Sequence, residues 1–343
     1  MTSAERVRRA MHYQSVDKAP LQYYYCPVGY YEHGERLNDL YAAHPGDFEP
    51  FVRKPIPVIP PEHIDAEGRY HEFRTDEWGV TWEYRIYGIT GIPCRRPLTC
   101  PEDIPGYQLP PAPALDGPEY EAYEARIRKN KEAGFYTFGE AASLYERLLH
   151  LYGDENVLCD IATDEPEIND LEDRLADLGT LYVQRSVQAG AHGIAIGDDY
   201  GTERGMVMRP QRWREFFKPR LRQMLRPAVE AGLDIHCHSC GQILPILEDL
   251  RELGVTSIWP QLPAYNMEEL AARCRELGLA VAIHTDRART MTYGTPADVR
   301  ALVLREYETF HMQDGGSWFY VEADNGFPFE NLEALVETIA LWR

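Results

Sequence analysis

Long hydrophobic runs are missing from this chain of 343 residues. None approaches the roughly 20 apolar residues that span a bilayer. The opening segment Met1-Thr2-Ser3-Ala4-Glu5-Arg6-Val7-Arg8-Arg9 has no apolar stretch behind its charges, so it does not read as a secretory signal. Positive charge is scarce, with 35 Lys and Arg against 55 Asp and Glu, a formal net charge of −20. Nucleic acid and anionic membrane surfaces both require clustered cations, so neither is expected as a main partner. Cysteine is sparse as well: seven residues, odd in number and scattered, do not make a disulfide framework. Together these absences predict a cytoplasmic protein with reduced thiols. No glycine-rich phosphate loop follows the first strand candidate, which argues against an open dinucleotide-binding sheet.

What is present is a core-forming composition, 44% hydrophobic. Thr2 and Glu5 have capping-box spacing and open a short helix through about Met11. A turn at Asp17–Pro20 leads into an aromatic strand candidate, Leu21–Tyr25. Residues 26–118 are proline-rich and read as an irregular cap over the main domain, with a short hairpin at Asp76–Glu83. From about residue 119, helices of 10–20 residues alternate with short apolar strands: Phe135–Gly139, His192–Asp199, Leu233–His238, Thr256–Gln261, Leu279–His284 and Trp318–Glu322. Such alternation is the pattern of a parallel sheet. With Leu21–Tyr25 the count is seven strands, and the irregular region has room for an eighth. The predicted architecture is α/β: one distorted (β/α)₈ TIM-barrel domain over residues 1–343.

In such a barrel the chemistry collects where strands end. Those ends carry Glu140, Asp198-Asp199, His238-Ser239-Cys240, Gln261, His284-Thr285-Asp286 and Glu322-Ala323-Asp324. Strand alternation puts His236, His238 and Cys240 on one face and Cys237 on the other. Imidazole and thiolate together suit zinc, and catalytic zinc takes three protein ligands. His238 and Cys240 form the strongest pair; the third ligand would be Glu322, Asp324 or His284. His236, deeper in the strand, reads as a core residue or a support for the ligands. Of the adjacent pair Asp198 and Asp199, which must face opposite sides, one reads as a helix cap and the other as a general base or substrate anchor. Tyr200, Gln261, Glu140 and Asp286 are candidate substrate contacts.

Several elements in order resemble the uroporphyrinogen decarboxylase superfamily, and its corrinoid-dependent methyltransferase branch in particular. They are Asp198-Asp199-Tyr200-Gly201, Pro210 to Pro219, His238-Ser239-Cys240-Gly241, Tyr293-Gly294-Thr295-Pro296, Gly315-Gly316 and Pro328-Phe329-Glu330-Asn331. The resemblance implies zinc held by His-x-Cys and a later cysteine, and methyl transfer to or from a cobamide on a separate corrinoid protein. His238 and Cys240 match; the later cysteine does not, and Glu322 and Asp324 stand in its region. The arginine-rich motif that grips porphyrinogen carboxylates in the decarboxylases has no counterpart in Gln22–Tyr31. The expected activity is therefore zinc-dependent methyl transfer between a cobamide and a small acceptor such as a thiol or tetrahydrofolate, by a protein that could be a homodimer. Two alternatives are a metal-free decarboxylase or lyase, with Asp199 or His284 moving the proton, and a non-catalytic accessory barrel.

Overall fold

A computed structural model describes residues 1–343. Its main sheet has seven strands, all paired in parallel, in the order Leu21–Tyr23, Ser317–Val321, Ala280–His284, Ser257–Pro260, Asp234–Ser239, Gly193–Gly197 and Phe138–Gly139. Each strand is followed by at least one helix, and the sheet curls into a distorted (β/α)₈ barrel. The opening helix Ser3–Met11 is capped by Thr2, whose hydroxyl accepts from the Glu5 amide.

The eighth position belongs to the chain around Asp47, which forms no regular strand. The Asp47 amide donates to the Leu21 carbonyl at 2.7 Å, and its carbonyl accepts from the Tyr136 amide at 3.2 Å. One backbone bond to each flank closes the ring. Phe48 then turns inward and packs on Tyr136, Phe138 and Trp318.

Alternation along the strands sorts side chains into two cores. Ala280, Ala282, Trp318 and Tyr320 fill the barrel interior with Phe48, and Val7 and Met11 from the opening helix join them. Ile194, Ile235, Cys237, Ile258, Val281, Ile283 and Phe319 face outward into the larger core under the helices. Cys237 is thus an outward, buried thiol.

Residues 26–118 hold more regular structure than their prolines suggest. Two helices, Pro27–His33 and Glu35–Ala43, precede a three-stranded antiparallel sheet of Glu72–Thr75, Thr81–Tyr84 and Ile92–Arg95. The hairpin expected near residues 76–83 is its first turn. At the carboxyl end of Ser317–Val321 the first helix packs so closely that a Cβ on Gly29 would lie 2.4 Å from Ala323.

One inward carboxyl makes folding sensitive to pH. Glu306, on the helix Pro296–Thr309, is buried and accepts from the Thr285 hydroxyl at 2.8 Å. Burial pushes its pKa up from 4.5 to about 8, against the Thr285 bond. Between these values the folded protein keeps a proton that the unfolded chain has lost, so stability falls as pH rises from 4.5 to 8. Urea unfolding of a Glu306→Gln variant should show a smaller loss between pH 5 and pH 8 than the parent. Parallel pH profiles would exclude Glu306 as the source.

Candidate metal centre

Three donors converge where two neighbouring strands end. The strand Asp234–Ser239 carries His238 inward, and Cys240 follows one step beyond it. The strand Gly193–Gly197 leads into Asp199. The ligand atoms of Asp199, His238 and Cys240 all lie within 4.8 Å of one another. His238 Nε2 is 3.5 Å from Cys240 Sγ and 3.5 Å from an Asp199 oxygen. Tetrahedral zinc with bonds near 2.1 Å has donor–donor edges of about 3.4 Å, so two of the three edges already match.

The surroundings suit a metal as well. His238 Nδ1 is 2.8 Å from the Trp259 carbonyl, which can only accept. That bond places the proton on Nδ1 and leaves the Nε2 lone pair facing the cluster. Burial lowers the His238 pKa, so the ring is neutral, as a ligand must be. Burial, then the charge of Asp199, pushes the Cys240 thiol up to about 12. Without a cation the thiol keeps its proton; a divalent ion would remove it. The Cys240 amide donates to Asp199 at 2.7 Å, tying the carboxylate to the strand end that bears the other donors.

Beside these donors lies a cavity of about 460 Å³, lined by His238, Cys240, Trp259, Gln261, His284 and Arg287 among others. Trp259 is wedged between the His238 ring, 4.0 Å away, and Tyr320, 4.2 Å away. The Gln261 side chain accepts from the Gly241 amide at 2.9 Å, which pins the loop after Cys240. His284 has a pKa near 3 because of burial, then the charge of Arg287.

The other sequence candidates take different places. Asp198 faces away from Asp199, into the helix layer, where its carboxylate accepts from the amides of Leu144 and Glu146 and from the Tyr200 hydroxyl. It caps the helix Tyr145–Tyr152, and Tyr200 is a buried core residue stacked on Tyr145. Glu140 pairs with Arg126 and Arg185 away from the cavity. Asp286 lines the cavity, but its oxygens accept from three amides of the following turn, Arg287–Met291. Glu322 and Asp324 do not join His238 and Cys240: Arg287 holds them at 2.7 and 3.4 Å. His236 lies in the barrel core, stacked on Phe138 and bonded to Ser257.

Three neighbours of the cluster escaped the sequence reading. Arg287 sits on a π-helical turn three residues past the expected strand end. Glu146 carries a pKa of about 8, through burial and then the charges of Asp199 and Asp198. Only Trp259 left a usable signal: it shares an inward strand face with Ser257, two residues before it.

A family model described as uroporphyrinogen decarboxylase (URO-D) matches residues 94–340. No curated protein sequence matches the chain. Among solved structures, a methyltransferase from Methanosarcina mazei aligns with TM-score 0.66 and 17% identity, covering 99% of both chains. A dihydropteroate synthase from Thermus thermophilus aligns with TM-score 0.33 and 20% identity over 46% of this chain and 63% of its own. A xylanase from Cellvibrio japonicus gives TM-score 0.41 and 10% identity over 68% and 59%. The Methanosarcina protein shares the barrel fold from end to end.

Proposed function

The chain belongs to the uroporphyrinogen decarboxylase family, and on that premise we propose that it is a zinc-dependent methyltransferase. It would move a methyl group between a cobamide on a partner corrinoid protein and a small acceptor such as a thiol or tetrahydrofolate. The observation that carries this reading is the convergence of oxygen, nitrogen and sulfur donors in Asp199, His238 and Cys240 beside an open cavity.

When bound, zinc supplies a Lewis acid that lowers the pKa of a coordinated thiol or polarises a leaving group. The chain's own residues prepare that chemistry. The Trp259 carbonyl fixes the His238 tautomer, and the Trp259 ring packs against the imidazole. Asp199 gives the donor set a hard oxygen in place of a second thiolate, which leaves the site more electrophilic. His284, held neutral, offers a hydrogen bond to substrate rather than a charge.

An anaerobic assay with methylcobalamin against thiol and tetrahydrofolate acceptors, paired with metal content, tests the proposal. The expected result is acceptor methylation that rises and falls with zinc occupancy. Activity in fully metal-free protein would instead favour decarboxylase or lyase chemistry, with Asp199 or His284 moving the proton.

A further inference from the structure

Glu322 and Asp324 end a strand that faces the metal donors across the barrel mouth, yet neither carboxylate lines the cavity. Arg287 does. Its guanidinium bonds Glu322 at 2.7 Å and reaches Asp324 at 3.4 Å, and it lines the same cavity as Cys240 and His238. It therefore stands between the two carboxylates and the space beside Cys240. The same Glu322 oxygen lies 3.6 Å from Nε2 of the neutral His284, too far for a hydrogen bond, so Arg287 is what draws Glu322 to the wall.

The backbone turn that carries Arg287 is capped. Asp286 caps the turn Arg287–Met291 by accepting from the amides of Ala288, Arg289 and Thr290. The turn is π-helical, a wide geometry often found at functional sites.

A free carboxylate in a barrel mouth is a strong zinc ligand. With three donors already gathered, a fourth protein ligand would turn an open catalytic site into a closed structural one. We propose that Arg287 is a positioning residue that reserves the open coordination position for substrate by holding Glu322 away from the Asp199, His238 and Cys240 donors. This inference rests on the zinc reading above. It assigns the departure from a later cysteine a purpose: the carboxylate in that region is neutralised by an arginine instead of bound to metal.

The test compares wild type, Arg287→Met and Arg287→Met/Glu322→Gln. Zinc affinity is read by chelator competition, and cobalt(II)-substituted protein is titrated with 2-mercaptoethanol while the sulfur-to-cobalt charge-transfer band is followed. In wild type, added thiol should enlarge the band. In Arg287→Met, zinc should bind about tenfold or more tightly, and added thiol should no longer change the band. The double variant should restore both wild-type behaviours, which a simple loss of packing would not do. Unchanged or weaker zinc binding in Arg287→Met, or tightening that persists in the double variant, overturns the inference alone. Wild-type protein that binds neither metal removes the zinc reading, and the inference with it.

Discussion

Replacing Cys240 with alanine is expected to strip the protein of zinc and of methyl transfer while leaving its unfolding transition close to that of metal-free wild type. A full set of protein donors holds zinc with roughly 10–16 kcal/mol at neutral pH. One donor of three carries about a third of that, so affinity should fall by about 3–5 kcal/mol, or roughly two to nearly four orders of magnitude. Cys240 lies at a strand end beside the cavity and is not part of either hydrophobic core, so its side chain contributes little to folding. Metal analysis of the purified variant is the measurement, with circular dichroism melting as the folding control. The carboxylate donor is tested in the same way: Asp199→Asn should lose zinc and Glu322→Gln should keep it. The reverse pattern would move the third ligand to the far strand. Near-stoichiometric zinc in Cys240→Ala would place the metal elsewhere altogether.

The second large effect concerns the eighth barrel position. Asp47 is buried and takes bonds from four groups: Arg6 at 2.5 Å, Arg343 at 2.6 Å, the Ser3 hydroxyl at 2.8 Å and the Leu21 amide at 3.0 Å. One carboxylate thus ties the first helix, the first strand and the last residue to the closing segment. Asp47→Ala would leave the poorly solvated Arg343 guanidinium without a carboxylate and Arg6 with Asp17 alone. Breaking a buried pair from one side costs about 3–5 kcal/mol, a large share of the 5–15 kcal/mol typical of a folded protein. Urea denaturation should show that shift. Asp47→Asn, which keeps the shape and one acceptor, should lose less. A shift below about 1 kcal/mol for Asp47→Ala would assign closure to Phe48 packing rather than to the ion cluster.

The barrel was legible because each of its strands is a short apolar run between amphipathic helices, a pattern set by local residue order. The closing segment was not: Gly46-Asp47-Phe48 has no strand periodicity, and its place depends on partners 41 and 296 positions away. The proline-rich region hid the helix Pro27–His33 for a related reason, since proline at a first helical turn initiates as readily as it interrupts.

At the site, two of the three converging donors were readable. His238 and Cys240 are two apart on one strand, and strand geometry alone puts them on one face. That adjacent aspartates must part ways was equally plain; which of them turned inward was not. Asp199 joins the cluster because a neighbouring strand ends beside His238, and Asp198 turns out because the helix behind it needs an acceptor for the Leu144 and Glu146 amides. The same holds for Glu322 and Asp324, which share the barrel mouth with the donors but answer to Arg287. Sequence by itself determined the fold class and the His238–Cys240 pair, since both follow from spacing along one segment. Which carboxylate completes the set was decided only by the tertiary structure, because that depends on competing partners that the chain brings together from different strands.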